Sequence, residues 1–438
     1  MATYFTPGDL AEFVYNEFQD SKMEEKKPSE SILNELFNTL YYTSLQTEEG
    51  QFIKVTITLL DHRSIVEFEQ DRISYDNWKF FAFEPEIEFS VKNLIKLSKA
   101  ADPMSSSLAV YYDDKEVLYI YGMIDQTIHY QNFLNYERES KPLHPGIMQT
   151  MINGIGVLNV MVDYQPVATL NQNSLVKKYP NVFEYGPVAA FIEDNAAYSH
   201  NDLELMMKDK LTGNDVLIYN EIILEYVIQS ISRVLLRIRS YNHGGAILFT
   251  KNFTDDLNIK YVLKYNRIEE AIMHVVEKIS DSDILNKEVK QVKRKKQDLP
   301  IALHEACEEN KADIEDSFNE LIGVVRFVSS LSCVDGLVLM SPHLTVKGFG
   351  VLIAGEQQPE YVYLNKNRAK INPSHFGTRH QSMFAYCLKN PDSLGFVVSQ
   401  DGEIRAIMCI GGEVRMWENI KVYQFLSSSK MPEISVKK

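Results

Sequence analysis

The chain is short of several things that mark particular protein classes. Only four of its 438 residues are cysteine, Cys307, Cys333, Cys387 and Cys409. All four fall in the last third with no Cys-x-x-Cys pair, so free, mostly buried thiols in a reducing compartment are expected, not a disulfide framework. No stretch approaches the roughly 18 uninterrupted apolar residues that a membrane helix needs. Positive charge is in deficit: 45 Lys and Arg stand against 60 Asp and Glu, a formal net charge of −15. That balance argues against direct binding to nucleic acid or to an anionic membrane. A small anionic ligand stays admissible, because one local positive pocket is enough for it. The opening "MATYFTPGDLAEFVYNEF" has neither a basic region nor an apolar core, so no secretory leader is expected there and the protein is expected to be cytoplasmic.

What is present is core material. Hydrophobic residues make up 45% and charged residues 24% of a chain long enough for two or three domains. Residues 8–19 and 30–45 carry apolar residues at helical spacing. The period then changes. "QFIKVTITLL", "SIVEFEQ", "KFFAFE", "SLAVYYDD" and "EVLYIYGMID" read as strands, with "SVKNLIKLSKAAD" a helix among them. "GIGVLNVMVDYQPVATL", at 154–170, reads as more strand with a turn at Tyr164–Pro166. The first 210 or so residues are therefore expected to be a mixed α+β region without a catalytic cluster.

From about residue 218 the style changes again. "NEIILEYVIQSISRVLLRIRSYNHGG" predicts a long helix closed by glycine, and "GGAILFT" a buried strand. "RIEEAIMHVVEKI" is helical, "NKEVKQVKRKKQDLP" is a charged, uneven segment, and 311–331 is a further amphipathic helix. The basic run Lys293–Lys296 is read as a solvated face. Strands at 334–340 and 345–353, a helix at 378–389, and the strands "LGFVVSQ" and "EIRAIMCI" complete an α/β sheet layered with helices. "HEACEEN" brings His304, Glu305 and Cys307 together, but one such cluster without a second pair of ligands is a poor metal site, and helix packing accounts for it.

The stretch "FGTRHQSMFAYCLKN" poses the functional question. Thr378 is a natural N-cap, and Arg379 and His380 would add positive charge at the helix end that is already positive. That costs a few tenths of a kcal/mol per charge unless an anion sits between them. A phosphate would take the backbone N–H groups, the hydroxyl and the guanidinium together.

Three ordered segments resemble the diadenylate cyclase superfamily, the nucleotide domain of the DNA-integrity scanning protein and its relatives. They are "HGGAILFT", "VDGLVLMSPHLTVKGFGVLI" and "FGTRHQSMFAYCLKNPDSLGFVVSQDGEIR", spanning roughly 218–412. The N-terminal segments "LYYTSLQTEEGQFIKVTITLLD", "VKNLIKLSKAADPMSSSLAVYYDD" and "GMIDQ" resemble the bacterial sensor-type branch called DACNV. The resemblance implies an α+β N-terminal region at 1–215. It implies a diadenylate-cyclase-like mixed sheet flanked by helices at 216–425, with a charged helical insertion at about 284–330.

In the cyclases two ATP molecules meet across a dimer, so the likeness also implies ATP or a cyclic dinucleotide as ligand and a homo-oligomer. It assigns nucleotide contacts to Asp335, Gly336, Leu337, Gly377, Thr378, Arg379, His380, Gln381 and Ser399. Asp335 is the candidate catalytic and metal ligand, for Mg or Mn. Two departures count against turnover. Leu337 replaces an alanine, with bulk expected where the nucleotide would lie, and Gln381 replaces an arginine. The expectation is a nucleotide sensor with weak or absent synthesis of cyclic di-AMP. The alternatives are an active diadenylate cyclase and an interaction protein with a vestigial pocket.

Overall fold

The computed structural model describes residues 4–422 except 21–26, 61–78, 102–105, 126–145, 163–164, 178, 197–214, 242, 255, 355–356, 365–368 and 401. The expected strand "SIVEFEQ" and the turn residue Tyr164 lie outside the described residues. The chain forms two compact units that divide between Tyr179 and Pro180, ahead of the 215/216 boundary expected from sequence. Both units combine helices with sheets, in keeping with an α/β and α+β chain.

The first unit opens with helices α1 (Pro7–Asp20) and α2 (Glu30–Ser44). The Ser29 hydroxyl accepts from the Ile32 amide at 3.2 Å and so caps α2. A small hairpin, β1 (Thr47–Glu48) and β2 (Gln51–Phe52), follows. The main sheet has eight strands: β3 (Val55–Leu59), β4 (Lys79–Glu88), β5 (Ser106–Tyr112), β6 (Leu118–Asp125), β7 (Met148–Gly154), β8 (Val157–Val162), β9 (Gln165–Asn171) and β10 (Ser174–Val176). Its order is β10-β9-β8-β7-β3-β5-β6-β4, with only β3 and β5 parallel.

Alternation explains its core. Val55, Ile57 and Leu59, with Leu108 and Val110 of β5, share one cluster with Leu10, Leu33, Leu36 and Leu94 of α1, α2 and α3 (Val91–Ser98). The other face is polar yet buried. There Thr58 Oγ1 and Ser107 Oγ stand 2.8 Å apart, and Gln149 Nε2 donates to Thr58 Oγ1 at 3.2 Å.

The second unit contains α4 (Pro187–Ala196), α5 (Asp215–Ser240), β11 (Gly245–Thr250), β12 (Leu257–Tyr265), α6 (Arg267–Arg294) and α7 (Ile301–Leu331). Then come β13 (Leu337–Met340), β14 (Val346–Ile353), β15 (Val362–Leu364), β16 (Lys370–Ile371), α8 (Thr378–Lys389), β17 (Ser393–Val398), β18 (Ile404–Ile410) and β19 (Glu413–Trp417). The nine strands form one mixed sheet, ordered β12-β14-β13-β11-β17-β18-β19-β15-β16. The β11–β13 and β15–β19 pairs are parallel, and the others antiparallel.

On one face Ala246, Leu248, Leu339, Val351 and Val397 pack with Met383, Phe384 and Cys387 of α8. The alternate residues of β11 face the opposite way. A Cβ on Gly245 would lie 2.7 Å from Ile238 of α5 and 3.2 Å from Ser332 after α7, so glycine lets those helices close on the sheet.

Two helices differ from the sequence reading. The charged segment at 286–300 continues α6 as far as Arg294, and α7 begins at Ile301, ten residues before the expected start. The pair is tied by Lys278 Nζ to Asp313 Oδ2 at 2.6 Å and by Asn310 Nδ2 to the Lys278 carbonyl at 3.2 Å. At the far edge of the sheet, β12 bonds only to β14 among the described strands, and Tyr261, Val262 and Leu352 stand exposed there. Among the described residues no helix is long and apolar enough to cross a membrane.

Candidate functional site

The cap of α8 is Gly377, not Thr378. Gly377 is extended (φ −66°, ψ 166°), and its carbonyl accepts from the His380 and Gln381 amides at 3.0 and 3.1 Å. Thr378 becomes the first helical residue and stays exposed, its hydroxyl making no cap bond. With the His380 and Gln381 amides taken by Gly377, the Thr378 and Arg379 amides are the ones left at the helix start, beside the exposed Thr378 hydroxyl.

The side chains that follow take separate roles. Arg379 is half-buried, and its Nη1 donates to the His243 carbonyl at 3.2 Å. His380, expected to add charge at the helix end, is only 7% exposed, with its ring set against Phe376 and Phe384 at 5.5 and 6.2 Å. Gln381 Nε2 donates to the Phe376 carbonyl at 2.5 Å, which closes the turn from inside.

The sheet brings further candidates to the same end. β13 begins two residues after Asp335 and runs parallel to β11, so Asp335 leads into β13 at the sheet end where Gly244 leads into β11. On the other side Gly245 pairs with Val398, and Ser399 is the next residue. Asp335, His243 with Gly244, and Ser399 therefore emerge from three adjacent strands at one sheet end, where Arg379 contacts His243. Asp335 is exposed. Gly244 has φ +68°, and a Cβ on it would stand 2.7 Å from the Val398 carbonyl and 3.3 Å from Arg379 Nη1. Glycine is required there by backbone approach.

Two expected nucleotide contacts have internal duties instead. Gly336 has φ +116°, and its Cβ would fall 2.5 Å from the Gly350 carbonyl carbon, so its freedom serves the β13–β14 contact. Leu337 is 6% exposed and belongs to the α8-side core. Strand alternation puts residues 337 and 339 on one buried face, so the leucine bulk fills the protein interior and not a ligand floor.

Arg405, on β18, escaped the sequence reading. Its Nη1 lies 3.2 Å from His380 Nε2 and 3.3 Å from Ser399 Oγ, and its Nη2 bonds Glu403 Oε2. Glu418 Oε1 is 3.9 Å from its Nε, and the guanidinium carbon lies 5.9 Å from the centre of the Phe376 ring. Arginine only donates, so His380 Nε2 must be an acceptor here. The one sequence signal was the lone cation in "EIRAIMCI". His243 is the other omission. Its Nδ1 meets the Gly244 carbonyl at 2.6 Å, while its buried Nε2 makes no hydrogen bond among the described residues.

Among the described residues no three His, Cys, Asp or Glu side chains gather into a metal-holding group. His304 and Glu305 are exposed on α7 and Cys307 is half-buried, so core packing does not account for "HEACEEN" either. Asp335 offers one carboxylate, which suits Mg or Mn only in company with ligand phosphates. All four cysteines are free, but only Cys387 and Cys409 are buried, and burial pushes both of those thiols up. A separate small cleft, lined by Ile223, Val227, Ile272, Pro342 and Leu344, lies beyond the other end of β13 and is mostly apolar.

Comparison adds a family to the first unit. Residues 22–125 match the family model described as "Probable sensor domain DACNV", which spans α2 to β6. The match lies within the first unit, and the second unit lies beyond it. No curated protein matches the chain.

Proposed function

We propose that the chain is a sensor whose second unit recognises an ATP-like nucleotide or a cyclic dinucleotide. What supports this reading is that Arg379, in the first turn of α8, reaches the His243 carbonyl at the sheet end where the strands that follow Asp335 and precede Ser399 also begin and end. Phosphate would lie against the free amides of the first turn, the Thr378 hydroxyl and the Arg379 guanidinium. Asp335 would hold Mg or Mn only together with those phosphates. The likeness of 218–412 to diadenylate cyclases supports a nucleotide over other anions.

Charge favours sensing over synthesis. A triphosphate carries about four negative charges, and stabilising a departing pyrophosphate calls for preorganised cations. Here Gln381 is neutral and bonded to a backbone carbonyl, and Arg405 is already engaged by two carboxylates. Arg379 and the helix end remain. That suffices for binding and falls short for group transfer.

The test is calorimetry of the full chain with ATP and with cyclic di-AMP, alongside mass spectrometry of products formed with ATP and Mn²⁺. Arg379→Ala should weaken the better ligand by about 1.5–3 kcal/mol, the range for losing a charge-assisted hydrogen bond. Unchanged affinity would reduce the turn to a helix start without a ligand. Repeated turnover abolished by Asp335→Asn would make the protein a diadenylate cyclase. Binding of neither ligand would favour the interaction protein.

A further inference from the structure

We propose that Arg405 is a positioning residue that restricts Ser399 to accepting hydrogen bonds, so that this side of the site reads donor groups and not phosphate. The inference rests on the nucleotide reading above.

The reasoning is a count of hydrogens and lone pairs. Arg405 Nη1 carries two hydrogens and has two partners, His380 Nε2 at 3.2 Å and Ser399 Oγ at 3.3 Å. Ser399 has one hydroxyl hydrogen, and it goes to the Glu403 carbonyl at 3.1 Å. A hydroxyl owns one donor and two lone pairs. With the donor spent and one lone pair filled, a single lone pair is left. Ser399 can therefore receive a hydrogen bond from a ligand and cannot give one. A phosphate oxygen gains nothing from it. A ribose hydroxyl or a base amino group does.

The guanidinium is held for this task. Its side chain is 12% exposed, Nη2 is bonded to Glu403, and Glu418 stands beside Nε. Two carboxylates offset its charge, so Arg405 does not itself attract phosphate. His380 Nε2 is occupied as well, and the ring is 7% exposed. The anion is left to Arg379, Thr378 and the amides of α8. The site divides into an anion half on the helix and a donor-reading half on the β17–β18 turn. Such a site prefers a nucleotide to a bare polyphosphate.

The experiment titrates the full chain with ATP and with tripolyphosphate. Arg405→Met should cut the preference for ATP by about three- to tenfold, the reach of one neutral hydrogen bond, and leave tripolyphosphate affinity unchanged. Ser399→Ala, which leaves Arg405 in place, should do the same and serves if Arg405→Met does not fold. Arg405→Lys should recover part of the preference. Equal loss of both ligands would make Arg405 a direct phosphate ligand, and loss of neither would make it purely structural. Either result overturns the inference. If the wild type binds neither probe, the nucleotide reading falls. The ¹⁵N resonance of His380 Nε2 then still decides the positioning role, which is refuted if Arg405→Met leaves that resonance where it was.

Discussion

Replacing Leu337 by alanine separates two incompatible roles for that side chain. As the floor of a ligand site, its removal would make room and leave stability nearly intact. As a core residue at 6% exposure, packed in the cluster that α8 closes, it leaves a hole. The change deletes three carbons, worth about 0.8 kcal/mol each in transfer, or about 2.4 kcal/mol together. Incomplete collapse around the vacated space raises the expected loss to about 2.5–4 kcal/mol. Trp417 on β19 is a suitable reporter, 5% exposed and within the same unit, and Trp78→Phe would leave it the single tryptophan. In urea, with a slope of about 1–3 kcal/mol per molar, the midpoint of the Trp417 transition should fall by about 1 M or more. A shift below about 0.3 M on that scale, or tighter ATP binding by the variant, would return Leu337 to the ligand and refute the packing account.

Two further outcomes follow from local geometry. Gly336→Ala sets a Cβ 2.5 Å from the Gly350 carbonyl carbon at a φ of +116°, and strain of this kind should cost at least about 2 kcal/mol in the same urea assay. The Glu320 carboxyl is held below its ordinary 4.5 by the hydrogen bond from His274, against the opposing effect of burial, with further help from Arg267. Its contribution is present above pH 4.5 and lost as pH falls through the depressed folded value. Glu320→Gln should therefore remove about 0.2–1 kcal/mol of acid sensitivity from the unfolding curve below pH 4.5, a modest figure for a pair near the surface.

The strands were the legible part, because short apolar runs such as "SLAVYY" and "LGFVV" mark strands buried along their whole length. The outer half of α6 was hidden for the opposite reason. Its apolar residues Ile284, Leu285, Val289 and Val292 are few among charges and only half-buried, and the bonds that tie the helix pair join residues 32 and 35 apart in sequence. The cap on α8 was misjudged because Gly and Thr are both good cap residues, and only backbone geometry selects Gly377. Leu337 was read against the alanine it replaces and not against its own strand parity. The paired change Leu337→Ala and Gln381→Arg, which looks from sequence like a restoration, would instead hollow the core and release the Phe376 carbonyl. Arg405 carried one faint local sign, its lone charge in "EIRAIMCI", and its partners His380 and Glu418 come from α8 and the segment after β19.

The outermost strand β12 has a bearing on how the protein behaves in concentrated solution. Nine residues with one row of N–H and C=O groups facing away from the sheet make a template about 30 Å long for any extended chain. Val262 at 81% exposure and Tyr261 at 43% would welcome such a guest. Lys260 and Lys264 stand on the same strand, two ammonium groups that a second β12 laid antiparallel would have to meet with its own pair. Colloidal stability along this edge is thus entrusted to two lysines, and chemistry that caps their charge would turn the edge from a repellent border into an adhesive one.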